Sequence, residues 1–194
     1  ERLVEALGRL GHETFRPGQR EAIEGLLDER RMLLVAPTGG GKSLCYQLPS
    51  LLLEGTTVVV SPLIALMQDQ VDGLRLNGVP AAASHSNLDA KERARLKELT
   101  DSGELRILFI APERLFLADF LNWLADQDVA AIAIDEAHCI SQWGHDFRPE
   151  YRRLAELRAR LPGGPVHAYT ATATPRVRQD IREQLQLEDC VELV

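Results

Sequence analysis

The sequence has 194 residues, 45% hydrophobic and 26% charged, a balance that fits a soluble globular chain and excludes disordered, collagen-like and coiled-coil proteins. One domain usually takes ~100–200 residues, so a single core is expected over 1–194. Lys and Arg number 22 against 29 Asp and Glu, a net charge of −7, so any polynucleotide contact requires a local site or a partner domain rather than bulk charge.

In chain order, the apolar patterning predicts a helix over 18–28, a strand over 32–36, a helix over 42–53, a strand over 57–61 and a helix over 65–76. There follow a strand over 81–84, a helix over 89–100, strands over 106–110 and 130–134, a helix over 150–161, a strand over 166–170 and a helix over 175–187. The strand runs are apolar on both alternating faces, as strands of a parallel sheet covered on both sides must be. Thr174 suits a helix cap and Pro175 the first helical position. Pro162-Gly163-Gly164-Pro165 reads as a turn, not a linker. Alternating strands and helices predict one α/β domain with a mostly parallel central sheet and helices on both faces. Cys45, Cys139 and Cys190 are widely spaced without a CxxC pair, which predicts reduced thiols and neither a zinc site nor a disulfide framework. There is no signal-peptide pattern and no apolar run of ~20 residues, so no membrane partner is expected. The chain opens on Glu1 and is expected to be a piece of a longer protein.

Ala36-Pro37-Thr38-Gly39-Gly40-Gly41-Lys42-Ser43 lies between a predicted strand and a predicted helix. This is the strand–GxxxxGK[ST]–helix context of a phosphate loop, with Ala36 at the first glycine position. Glycines let consecutive backbone N–H groups turn inward, and the helix N-terminus adds its positive end. Lys42 can bridge β- and γ-phosphates, and the Ser43 hydroxyl can ligate Mg²⁺. The alternative is a glycine turn before an amphipathic helix. Asp135-Glu136-Ala137-His138 closes the apolar run 130–134, and in open α/β sheets ligands bind at the carboxyl ends of strands. Asp135 can hold Mg²⁺, and Glu136 can orient and deprotonate an attacking water. The alternative is an acidic pair placed at a helix N-terminus by the dipole. Trp143, Phe147 and Tyr151 are three of only ten aromatic residues and fall within nine positions, among Gln142, His145 and Arg148. Aromatics interleaved with polar and cationic side chains suit stacking on unpaired bases, worth ~1–3 kcal/mol per base. A small satellite core is the alternative, favoured for Tyr151.

These motifs together resemble a superfamily 2 helicase motor domain, with the RecA-like P-loop fold. Three stretches sharpen the resemblance to the RecQ family of DNA helicases: Phe15-Arg16-Pro17-Gly18-Gln19 before the phosphate loop, Ser141 to Tyr151 after the acidic pair, and Ala168-Tyr169-Thr170-Ala171-Thr172-Ala173-Thr174. Ser61-Pro62-Leu63-Ile64-Ala65-Leu66-Met67 and Ala111-Pro112-Glu113-Arg114 extend it over essentially the whole chain. The resemblance implies an ATP- and Mg²⁺-dependent DNA helicase acting in recombination and repair, 3′→5′ on single-stranded DNA and duplex junctions. Lys42, Asp135 and Glu136 would be catalytic, with Ser43 and Asp135 at the metal. Gln19 would read the adenine edge, for which an amide that donates and accepts is suited. Arg16 would pack near the base, and Thr38, Gly39, Gly40 and Gly41 would cradle phosphates. His12 stands where relatives carry an aromatic residue that stacks on adenine. Gln142, Trp143, His145, Phe147 and Arg148 would touch DNA, with His138, Thr170 and Thr172 relaying strand contact to the ATP site or serving only as satisfied buried polar groups. The loops at 61–63 and 111–114 would track the DNA backbone. The family pairs this domain with a second RecA-like domain of the same polypeptide and a zinc-binding module, neither of which the 194 residues contain. The implied location is cytoplasmic, or wherever the DNA is. A nucleotide-dependent DNA-binding or regulatory module without unwinding is the rival reading, and an RNA helicase a weaker third.

Overall fold

A computed structural model describes residues 1–194 except 29, 37–40, 161–164, 172–173, 188 and 193–194. Its centre is a parallel sheet: β1 (Met32–Val35), β2 (Thr56–Val60), β3 (Ala81–Ser84), β4 (Ile107–Ile110), β5 (Val129–Ile134), β6 (Val166–Thr170) and β7 (Asp189–Glu192). The seven strands run in the order β3-β4-β2-β5-β6-β1-β7, and each pair is parallel. Successive side chains in a strand point to opposite faces, so each buried strand feeds two cores. Leu33, Val58, Val60, Leu108, Ile110, Ile132 and Ile134 enter one. Met32, Leu34, Val59, Ile107, Phe109, Ala133 and Tyr169 enter the other.

Helices α1 (Arg2–Arg9), α2 (Gln19–Leu27), α3 (Lys42–Leu52) and α4 (Ile64–Leu76) cover the second face through Leu7, Ile23, Leu48 and Val71. The first face is covered by α5 (Ala90–Ser102), α7 (Ala118–Ala125), α8 (Pro149–Arg152) and α10 (Pro175–Leu185), through Leu99, Leu121, Tyr151 and Ile181. Two short helices, α6 (Pro112–Leu115) and α9 (Leu157–Arg160), complete the set. Among the described residues, no helix is long and apolar enough to cross a membrane.

The α/β class, the parallel sheet and the covering of both faces agree with the sequence expectation. Thr174 caps α10, its hydroxyl accepting the Val177 N–H at 3.3 Å. Three details differ. The helix expected over 150–161 is broken: a 3₁₀ turn at Arg153–Glu156 separates α8 from α9. β7 adds an edge strand beyond the helix expected over 175–187, in residues to which the patterning assigned nothing, because pairing with β1 needs only backbone groups. α1, α6 and α7 fill stretches to which the patterning assigned nothing. Α7 reads ADFLNWLA, apolar on more than one side, which blurs the helical period. Of the turn expected at 162–165, residues 162–164 lie outside the described residues.

Candidate functional site

Because every strand is parallel, all carboxyl ends share one edge of the sheet. The motifs therefore converge there: Ala36 after β1, Ser61 after β2, Ala111 after β4, Asp135 after β5 and Ala171 after β6. β6 lies between β5 and β1, so the phosphate loop and the acidic pair flank one strand end, the usual place for a ligand in an open α/β sheet. Thr38, Gly39, Gly40 and Thr172 lie outside the described residues.

Gly41 caps α3 and Lys42 and Ser43 open it. The Lys42 ammonium sits between the two carboxylates, 2.9 Å from Asp135 Oδ1 and 3.1 Å from Glu136 Oε1. Burial works to lower the Lys42 pKa, but the two carboxylates outweigh it and hold the ammonium above its ordinary value. Burial pushes the Asp135 carboxyl up from its ordinary value against the pull of Lys42. Asp135 is 4% exposed. Its N–H donates to the Val60 carbonyl at 2.8 Å, its carbonyl accepts the Tyr151 hydroxyl at 2.9 Å, and its Oδ1 accepts the Glu136 N–H at 2.9 Å. Glu136 holds a left-handed backbone, φ 52° and ψ 43°, which costs a side-chain-bearing residue about 1–2 kcal/mol and turns its carboxylate toward Lys42.

Gln19 is 3% exposed. Its Oε1 accepts the Arg16 N–H at 2.7 Å and its Nε2 donates to the Gly41 carbonyl at 3.0 Å. A Cβ on Gly41 would lie 1.9 Å from Gln19 Nε2 and 3.6 Å from the Arg16 side chain, so a side chain there would displace the Gln19 amide. The structure thus joins Gln19 and Arg16 to the last glycine of the phosphate loop. His12 is exposed after α1, and among the described residues no contact of its ring ties it to this group.

The aromatic loop hangs from the 3₁₀ turn Ala137–Ile140. Gly144 passes so close that a Cβ there would meet the His138 carbonyl at 3.0 Å, and the Arg148 N–H donates to the Cys139 carbonyl at 2.9 Å. Gln142 and His145 are exposed, and Phe147 is half-buried under the Arg152 guanidinium, 5.7 Å from its ring centre. Trp143 is 58% exposed. Tyr151 is fully buried in the core. His138 connects the loop to the acidic pair. Its Nδ1 lies 3.0 Å from the Thr170 hydroxyl, its Nε2 3.6 Å from Glu136 Oε2, and its ring stacks on His145 at 4.7 Å. Burial holds His138 below the ordinary imidazole range, with Glu136 opposing and His145 reinforcing. A neutral ring with its proton on Nε2 faces it toward Glu136 and leaves Nδ1 to accept from Thr170.

Two contacts escape sequence reasoning. The Arg176 guanidinium lies 3.3 Å from the centre of the Trp143 ring, yet 33 residues separate them and α10 shows only an ordinary basic first turn. His138, Cys139 and Asp146 bring potential metal-ligand atoms within 4.8 Å of one another, although their spacing is no zinc motif. Arg148 already pairs with Asp146 there at 3.3 Å.

Ser43 offers a hydroxyl and Asp135 a carboxylate, a hard oxygen set of the kind Mg²⁺ takes. The Lys42 ammonium that bridges Asp135 and Glu136 is one that incoming phosphates can draw away. The donors present therefore fit a Mg²⁺-nucleotide.

The chain belongs to the DEAD/DEAH box helicase family, whose model matches residues 16–181. Within that family its likeness is to the RecQ helicases. It is 46% identical to the ATP-dependent DNA helicase RecQ of Haemophilus influenzae, over 92% of this chain and 29% of that protein. It is 50% identical to RecQ of Bacillus subtilis, over 92% of this chain and 30% of that one. The chain thus spans under a third of the length of these relatives. The fold also matches a crystal structure of a hypothetical ATP-dependent RNA helicase from Sulfolobus tokodaii, with a TM-score of 0.71 at 20% identity, over 98% of this chain and 56% of that one.

Proposed function

We propose that the chain is the ATP-binding motor domain of an ATP-dependent DNA helicase, one domain over 1–194 that works against a second RecA-like domain of the same polypeptide. The observation that carries this is the juxtaposition of Lys42, Asp135 and Glu136 at one strand edge, joined through His138 to a loop that exposes Trp143. Gln19 and Arg16 hold the base end: when nucleotide enters, the Gln19 amide leaves the Gly41 carbonyl and the Arg16 N–H to read the adenine edge. Lys42 leaves the carboxylates for the phosphates. Ser43 and Asp135 would hold Mg²⁺, which when bound neutralises phosphate charge. Freed of Lys42, Glu136 accepts the proton of the attacking water, with His138 fixing its other oxygen.

Single-stranded DNA is the activating partner, and duplex junctions are the substrate. In the resting state Arg176 covers the Trp143 face on which a base would stack. A base takes that place, and the loop shift passes through His145 and His138 to Glu136. The rival, a clamp that binds nucleotide without unwinding, has no use for a carboxylate held in a strained backbone beside the metal position. The test is ATP hydrolysis by the protein that contains this chain, titrated with single-stranded oligonucleotide, beside a strand-displacement assay. Stimulated hydrolysis with displacement supports the motor. Nucleotide binding with neither would establish the clamp.

A further inference from the structure

A second basic and aromatic surface lies far from the ATP site. Helices α5 and α7 both run back from the carboxyl edge of the sheet on the same face, and between them is a groove of about 380 Å³. Its lining at the carboxyl edge is Arg114 of α6 and Ser84, the buried last residue of β3. The Arg114 Nε donates to the Ser84 hydroxyl at 3.3 Å, and its guanidinium lies 5.9 Å from the Phe120 ring centre. Phe120 and Trp123, with ring centres 5.2 Å apart, form a half-buried wall. Arg93 and Lys97 stand exposed on the other side. One lining acid, Asp101, pairs with Lys97 at 2.5 Å, but both are exposed and such pairs hold weakly.

We infer that this groove is a second subsite for single-stranded DNA: one unpaired base against Trp123 and Phe120, with its flanking phosphates on Arg93, Lys97 and Arg114. The inference rests on the DNA-helicase reading above. Three lining cations against one acid stand out in a chain of net charge −7, so the groove is locally complementary to a polyanion. Cations beside aromatic faces are what sequence-tolerant strand binding uses. The volume lies within the usual range for small-ligand sites, ~300–1,000 Å³. The mouth opens on the carboxyl edge beside the loop at 111–114, so a strand followed along that edge arrives at it. An acidic peptide shares the charge but has no such approach.

The test uses the protein that contains this chain and an oligothymidylate carrying 5-iodouracil. Photocrosslinking is expected to place an adduct on Trp123 or Phe120. Trp123→Ala risks misfolding, so affinity is read in the exposed pair Arg93→Glu/Lys97→Glu, whose melting temperature should be unchanged. Its strand affinity should fall about tenfold at fixed salt, and its log–log salt slope should flatten by ~1.4, two phosphate contacts at ~0.7 each. Unchanged affinity and slope with no adduct on either aromatic, while the wild type binds DNA normally, would overturn this subsite and leave the helicase reading standing. So would a labelled acidic peptide that binds the wild type, is lost in the pair and leaves DNA binding intact. A wild type that binds no single-stranded DNA removes both.

Discussion

Glu136 is the residue whose backbone and side chain pull in different directions. The left-handed turn is uphill for a glutamate, and the local gain is a carboxylate within reach of Lys42 and His138. Glu136→Gln keeps the shape but cannot accept a proton. It should bind ATP with Mg²⁺ and hydrolyse it ~10²–10⁴-fold more slowly, read by equilibrium binding beside single-turnover kinetics. Arg176→Ala tests the cover over Trp143. The oligonucleotide concentration that half-activates hydrolysis should drop severalfold, while the melt moves little, because an exposed cation–π contact is worth ~0.5–1 kcal/mol. His167 bears on stability instead. Burial holds it down to about 3, with the Arg30 charge adding to the effect. The unfolded chain therefore takes up a proton below ~6.5 that the folded chain refuses. Stability is fully present above that pH and declines as pH falls through the window toward 3, by up to ~1.4 kcal/mol per unit. Urea melts at pH 7 and 5 should show this decline, and His167→Gln should flatten it.

At the scale of the element, the aromatic loop divides in two. Trp143 is exposed, so Trp143→Ala should leave the melt within about 1 kcal/mol, the worth of its contact with Arg176, while DNA-stimulated hydrolysis and unwinding fall together. Tyr151 is core, and Tyr151→Ala should cost ~3–5 kcal/mol whatever DNA does. From sequence alone a core role is already favoured for Tyr151 and a stacking role for Trp143. The sheet was legible as well, because buried parallel strands print themselves as runs such as MLLV and VAAIAI. The glycine, lysine and acidic motifs were legible because their chemistry fixes both residue type and spacing. Other features were hidden for physical reasons. β7 depends on backbone pairing with β1, which leaves no side-chain pattern. The break between α8 and α9 follows tertiary packing over the sheet rather than a Pro or Gly. The Arg176–Trp143 contact joins α10 to the loop across the sheet edge, and neither residue carries a local mark of the other.

For the molecule as a whole, a chain of net negative charge gathers its proposed nucleotide and DNA contacts at one edge of the sheet. Five strand ends, those of β1, β2, β4, β5 and β6, deliver the phosphate loop, the acidic pair, the loops at 61–63 and 111–114 and the stretch after Thr170 to that edge, and the opposite edge carries no proposed chemistry. On the two-domain reading proposed above, residues 1–194 supply one wall of the cleft. They should bind ATP, turn it over slowly and displace no strand, because the electrostatic stabilisation of a closed, water-excluding site is missing. Malachite-green phosphate release and a forked-duplex assay on this segment, beside the longer protein, check this. Vigorous unwinding by the segment would defeat the two-domain picture.

Lys42, held between two nearly buried carboxylates, also bears on how an inactive allele would behave in a cell. Removing one partner from such a buried cluster costs ~3–5 kcal/mol, nearer the low end here because burial already raises the Asp135 pKa and the loss of Lys42 would raise it further, so the carboxylate can take up a proton. Lys42→Ala would thus lose catalysis and folding stability at once, and a deficit of this size can cut abundance severalfold through proteolysis of the unfolded fraction. Lys42→Arg keeps a cation between the carboxylates and should accumulate normally. Only the arginine allele, then, should persist long enough to occupy DNA and interfere with a wild-type copy, and immunoblots of the two variants expressed from one promoter would separate them.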